Sequence, residues 1–390
     1  MPHLHWLAEA DVRLEDLVSI VAESTDLADY PLADRVEQNV LVYDGARLRH
    51  ASATPQGRAD VQAELARALM DGPGLAVFAG AFPDPAVVDR ATDAFNAMIA
   101  DQRASGTASG DHFAKPGAND RVWNALEKLA IREPEAFVDY YANDVIALVS
   151  TAWLGPCYQV TSQINVVNPG GQAQQVHRDY HLGFMTNDRA ARFPAHVHQL
   201  SPVLTLQGAV AHTDMPVESG PTQYLPHSQK YPLGYLAWRR PEVREYFEAN
   251  FVQLPLRKGD AAFFNPALLH AAGTNRSSDI RRMANLLQVS SAFGRAMESV
   301  DREKVANAVF PALAARRVAG VEGRAIENAI AASAEGYSFP TNLDRDQPVD
   351  GLAPETQAEL LARAVHETWD RDTLAKELAA YAERRRTSEI

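Results

Sequence analysis

Cysteine is almost missing from this chain: Cys157 is the only one. A lone thiol cannot close an internal disulfide, and no cysteine cluster exists to hold zinc or an iron–sulfur centre. Long apolar runs are missing too. None approaches the ~20 residues that a membrane span needs. The first 29 residues mix acids with apolar residues, without the unbroken apolar stretch of a signal peptide. These absences lead us to expect a soluble, cytoplasmic protein. Positive charge is in short supply, with 37 basic against 50 acidic side chains and a formal net charge of −13. Such a surface repels phosphate backbones, so neither nucleic acid nor a membrane is expected as a partner. The one basic run, Arg384-Arg385-Arg386, reads as a solvated helix end that suits the helix dipole. Internal repeats and low-complexity tracts are absent.

What remains is an ordinary globular balance over 390 residues, 46% hydrophobic and 22% charged, enough for a sizeable core. Residues 1–73 read as an N-terminal extension with a helix over 59–71. Residues 74–80 (GLAVFAG) read as a short buried strand. Asp84 then offers a helix cap and Pro85 a first helical residue. The helix they open repeats Val87, Val88, Ala91, Phe95, Met98 and Ile99 along one face. From 158 to 291 the texture changes to strands. Tyr158, Val160, Ser162, Ile164 and Val166 alternate with Gln159, Thr161, Gln163 and Asn165. Further strand-like runs cover 203–212, 251–256, 261–264 and 281–291. Short strands between turn residues predict a sandwich or barrel, of which a jelly roll is one solution with inward side chains around a cavity. Residues 296–334 and 355–386 read as helical, the latter keeping its period through Leu360, Leu361, Ala364, Val365 and Trp369. The fold class expected is a mainly β core (74–291) with flanking helices, a helical region over 292–390, and the whole chain as one domain.

Chemistry concentrates at Asn168-Pro169-Gly170-Gly171 followed by His177-Arg178-Asp179. On a strand, His177 and Asp179 share a face because the side-chain period is two. An imidazole and a carboxylate so placed can grip one divalent metal, with a third ligand from elsewhere. The triplet is weak alone, since His212-Thr213-Asp214 offers a second one, and a hydrogen-bonded pair without metal is the ordinary reading. Downstream, Lys258-Gly259-Asp260 leads into a strand ending at Pro266. His270 follows four residues later, and Arg281 eleven residues after that. Arginine supplies a fixed, always-charged fork suited to a carboxylate.

Three blocks together resemble the phytanoyl-CoA dioxygenase family of Fe(II)/2-oxoglutarate-dependent oxygenases. They are His177-x-Asp179 after the Pro-Gly turn; Glu218-Ser219-Gly220-Pro221 through Pro226-His227-Ser228-Gln229-Lys230; and Lys258-Gly259-Asp260 through Arg281. The resemblance spans roughly residues 74–291 and agrees in order and spacing. It implies a double-stranded β-helix, the cupin-like jelly roll. It implies iron held by His177, Asp179 and His270, and 2-oxoglutarate and O₂ as cosubstrates, with Arg281 on the far carboxylate. Two histidines and a carboxylate would fill one face of an octahedron and leave three positions open. The reaction implied is oxidation of a small molecule with release of succinate and CO₂. A carboxylate at position 179, rather than the Ala or Gly of related halogenases, points to hydroxylation or another oxidation instead of halogenation. Asn165, Gln163 and Gln207 fall near places where relatives touch the cosubstrate. Ala272 stands where many relatives have a serine, at a cost of one hydrogen bond, about 1 kcal/mol.

Two other classes stay open on the residues. One is a cupin-like metal enzyme that does not use 2-oxoglutarate. The other is a non-catalytic relative that binds a ligand. Substrate identity and oligomeric state are not readable from the sequence. The loop 185–202, the helical insert 232–250 and both termini are the variable parts expected to set specificity.

Overall fold

Alternating side chains fold the middle of the chain into a large twisted sheet with two different faces. The computed structural model describes residues 5–107, 118–348 and 351–387. Its strands are β1 (Arg35–Glu37), β2 (Val40–Asp44), β3 (Leu75–Ala79), β4 (Asn119–Val122), β5 (Gln159–Val167), β6 (Thr205–Ala211), β7 (Gln223–Tyr224), β8 (Ala261–Phe264), β9 (His270–Ala271) and β10 (Arg282–Ser290). Eight of them form one sheet in the order β1-β2-β3-β8-β6-β10-β5-β4. Only β2 and β3 pair in parallel. β7 and β9 form a second, two-stranded sheet. Isolated bridges extend it to His177 on one side and Val252 on the other.

The period of two decides what each face meets. Ala76, Phe78, Val160, Ile164, Leu206, Val210, Phe263, Met283, Leu287 and Val289 face a thick helical layer and share its core. That layer includes helices 55–70, 85–104, 134–141, 144–154, 302–318 and 323–333. The opposite face carries Leu75, Val77, Ala211, Ala262, Phe264 and Ala284, which pack with Tyr224, Leu254 and Leu268. The small sheet lies on this inner face, where Tyr224 packs in the same cluster.

Local sequence accounts for most boundaries. The Asp84 side chain accepts from Ala86 N–H and Pro85 opens the helix 85–104. Thr356 and Glu359 form a reciprocal capping box at the start of helix 357–366. The expected helix at 59–71 begins earlier, at Pro55, because Thr54 caps it. The expected strand at 251–256 is reduced to isolated bridges at Val252 and Leu256. The N-terminal segment does more than pack on the body: β1 and β2 are strands of the large sheet. Residues 185–202, expected as loop, contain helices 187–190 and 195–203. Two arginines of the 384–386 run are not simply solvated. Arg384 and Arg385 pair with Asp346, and Arg385 also donates to Ser338 O at 2.7 Å. Among the described residues no helix is long and apolar enough to cross a membrane.

Candidate metal centre

His177, Asp179 and His270 come together although 91 positions separate the last two. The backbones of His177 and His270 exchange a pair of hydrogen bonds at 3.0 and 3.2 Å, which fixes the segments side by side. Their rings lie 4.4 Å apart between centroids. Asp179 N–H donates to Pro266 O at 3.1 Å. One potential ligand atom from each of the three residues lies within 4.8 Å of the others, and this is the only such group among the described residues.

The environment also selects which atoms face inward. His177 Nδ1 sits 2.8 Å from Gln175 O, and His270 Nδ1 sits 2.9 Å from Leu268 O. Each carbonyl can only accept, so the proton sits on Nδ1 and Nε2 is the nitrogen turned toward Asp179. Both Nε2 atoms approach the same oxygen, Asp179 Oδ2, at 3.8 and 3.6 Å. Burial alone would raise the Asp179 pKa. The neighbouring His177 and His270 rings and the hydrogen bond from Gln207 outweigh it and bring the carboxyl down to about 2. The group is therefore a carboxylate flanked by two aimed nitrogens, a donor set that fits a divalent metal such as iron.

Gln207, expected at the cosubstrate, instead donates from Nε2 to Asp179 Oδ2 at 2.7 Å. It orients the carboxylate. Gln163 lies on the inner face of β5, where its amide accepts from Arg121 Nη1 at 2.9 Å and donates to Gln288 Oε1 at 3.3 Å. Asn165 shares that face, in register with Ala284 and with Arg121. Its Oδ1 is buried without a hydrogen-bond partner.

The arginine expectation needs correction. Arg281 is not inside the sheets. Its side chain is 48% exposed and lies 3.7 Å from Asp120 and 3.3 Å from Asn168 Oδ1. Arg282 is the inward residue, 6% exposed. It opens β10 opposite Val167, on the same face as Ala284, Leu286 and Gln288. Its guanidinium reaches Gly273 O at 3.4 Å and the vicinity of Tyr224, the register partner of His270. Burial lowers its pKa to about 10, so it stays charged at neutral pH. The eleven-residue spacing was counted through a loop, which does not preserve parity. The outward apolar series Met283, Leu287 and Val289 is the signal that sets it.

The rival triplet is separated. His212 is buried among the helices, bonded to Thr92 Oγ1 at 2.8 Å and to the Tyr140 hydroxyl at 3.0 Å. Asp214 accepts from Lys258 N–H at 2.9 Å. His198 and His227 also have structural partners, Ala190 O and Thr25 Oγ1.

The chain is similar to several known proteins. The sequence profile of the phytanoyl-CoA dioxygenase (PhyH) family matches residues 70–283, just over half of the chain. A curated relative, the dioxygenase andF of Emericella variicolor, is 29% identical over 116 residues. That alignment covers 30% of this chain and 35% of the relative, so the chain spans about a third of that protein's length. Solved structures similar to the chain include the non-heme alpha-ketoglutarate-dependent epimerase SnoN from nogalamycin biosynthesis. It is 19% identical, with a TM-score of 0.41 over 61% of this chain and 82% of that one. The carbocyclase SnoK of the same biosynthesis is 21% identical, with a TM-score of 0.41 over 59% and 83%. AviO1 from Streptomyces viridochromogenes Tue57 is 17% identical, with a TM-score of 0.43 over 61% and 97%. From its profile match, its ordered sequence blocks and its His-Asp-His cluster, the chain belongs to the phytanoyl-CoA dioxygenase family.

Proposed function

We propose that the protein is an Fe(II)/2-oxoglutarate-dependent dioxygenase that hydroxylates a small organic molecule and releases succinate and CO₂. The sheet pair is then read as a double-stranded β-helix, and the chain as one oxygenase domain. The observation that carries the proposal is the convergence of His177 Nε2, His270 Nε2 and Asp179 Oδ2, each held by a named hydrogen bond. When bound, the iron supplies the oxidising chemistry, with 2-oxoglutarate and O₂ as cosubstrates.

The chain's own residues bind and orient. His177, Asp179 and His270 would hold the metal. Gln207 keeps Asp179 Oδ2 turned to the two imidazoles. Arg282 offers the buried positive charge for the far carboxylate of 2-oxoglutarate, replacing Arg281 in that role. Ala272 cannot assist it, and Asn165 Oδ1 remains as a polar contact from the sheet. Burial of the Arg282 charge strengthens its attraction for a carboxylate, because water no longer screens the pair.

The test is an anaerobic titration with Fe(II) and 2-oxoglutarate. A visible metal-to-ligand charge-transfer band is expected in the native protein and none in His177→Ala. Succinate release then reads out a substrate screen. Iron binding without the band would overturn the 2-oxoglutarate assignment.

A further inference from the structure

We propose that Arg178 and Ser228 are positioning residues for the metal centre, joined in a buried staple that fixes the His177–Asp179 segment against His270. The proposal rests on the metal reading above. His177 and Asp179 turn one way, so the residue between them turns the other, away from the metal. That residue is an arginine, only 2% exposed. Burying a guanidinium is costly unless its donors are met, and an apolar side chain of similar volume would fill the space without that penalty. No acidic side chain pairs with Arg178 among the described residues. Its Nη2 donates instead to the backbone carbonyls of Ser228 and, at 3.1 Å, Tyr231. The guanidinium also lies over the Tyr235 ring, 5.4 Å from the centroid. Burial brings its pKa down to about 10, so it keeps its charge at neutral pH.

The loop that receives this arginine also holds the other histidine. Ser228 Oγ accepts from Leu269 N–H at 2.8 Å, one residue before His270. Leu225 N–H donates to Leu269 O at 2.9 Å. The Tyr235 hydroxyl donates to Asp179 O at 3.0 Å. A single loop thus touches the backbone on both sides of the cluster. Position 234 keeps it close: a Cβ on Gly234 would strike the Arg178 guanidinium. Because the acceptors are neutral carbonyls, the staple sets geometry without placing a second carboxylate beside Asp179. A metal site needs its ligands held to within about 0.5 Å. The direct His177–His270 backbone pairing fixes one side, and the staple fixes the other.

The experiment compares chelator-treated native protein with Ser228→Ala, Arg178→Met, Arg178→Lys and a remote core control, Leu313→Ala. Each is titrated anaerobically with Co(II), following the visible d–d band, and melted without metal. Ser228→Ala and Arg178→Met are expected to raise the Co(II) Kd about tenfold or more and to alter the band shape. Arg178→Lys retains donors, so a rise of less than about threefold is expected. Leu313→Ala should lower the melting temperature and leave the Kd within about twofold, since it touches no part of the ligand geometry. Native Kd and band shape in Ser228→Ala and Arg178→Met would overturn the staple alone. If Arg178→Met does not fold, Ser228→Ala and Arg178→Lys decide between the same outcomes. Failure of the native protein to bind Co(II) would overturn the metal reading, and this proposal with it.

Discussion

Replacing Arg282 by methionine removes the one inward guanidinium at the start of β10 while keeping most of its apolar stem. Arg282 is buried and charged, so a cosubstrate carboxylate would meet it with little screening. Removing one partner of such a buried, hydrogen-bonded charge pair costs roughly 2–5 kcal/mol. At 1.4 kcal/mol per decade, the 2-oxoglutarate concentration for half-saturation should rise between about 30-fold and several thousand-fold. Arg281→Met makes the comparison. Arg281 is half exposed, and its nearest acid is 3.7 Å away. An exposed pair of that kind contributes about 0–1 kcal/mol, so half-saturation should move by less than about fivefold. The assay is the anaerobic charge-transfer band titrated with 2-oxoglutarate at saturating iron, with melting curves to confirm folding. The reasoning is refuted if Arg281→Met weakens 2-oxoglutarate strongly and Arg282→Met, still folded and iron-loaded, does not.

Other expectations address the metal and the fold. His177→Ala and Asp179→Ala should each lose stoichiometric iron after anaerobic gel filtration, and His212→Gln should retain it; the reverse pattern would move the centre to the rival triplet. Gln207→Leu loses the 2.7 Å bond to Asp179 and should weaken Mn(II) binding about tenfold with little change in metal-free melting. A native-like Mn(II) Kd would remove its orienting role. Burial lowers the His212 pKa to about 3, below its usual value near 6.5, so the fold holds the neutral ring. Its stabilisation is complete above about pH 6.5 and is lost as pH falls toward 3. Between about pH 6 and pH 4 the native protein should lose stability faster than His212→Gln by about one proton, or 1.4 kcal/mol per pH unit. Equal slopes in denaturant titrations would contradict that burial.

Much of the site was legible because it depends on short-range rules. Period two put His177 and Asp179 on one face, and the structure turns both toward His270. Asp84 and Pro85 announced a helix through cap chemistry that acts over three residues. Alternation in 159–167 separated Gln163 and Asn165 from the apolar face correctly. The errors fall where information had to cross a loop. The segment 271–281 carries no regular period, so counting eleven residues from His270 chose Arg281. Strand pairing, with Arg282 opposite Val167 and Ala284 opposite Ala211, chose Arg282. Gln207 was expected beside the cosubstrate, and only the fold shows that it meets Asp179.

The sequence by itself therefore determined local features: the capped helix at 85–104, the two faces of 159–167 and the order of the donor residues. Tertiary structure decided the rest. It brought β1 and β2 from the N-terminal segment into the sheet, paired His177 with His270, buried Arg282 and exposed Arg281. It also set Arg178 and Leu269 on one loop through Ser228. The physical reason is range. Backbone periodicity and capping act within a few residues. Contacts between positions 41 to 93 apart, such as these, exist only after the sheets have packed.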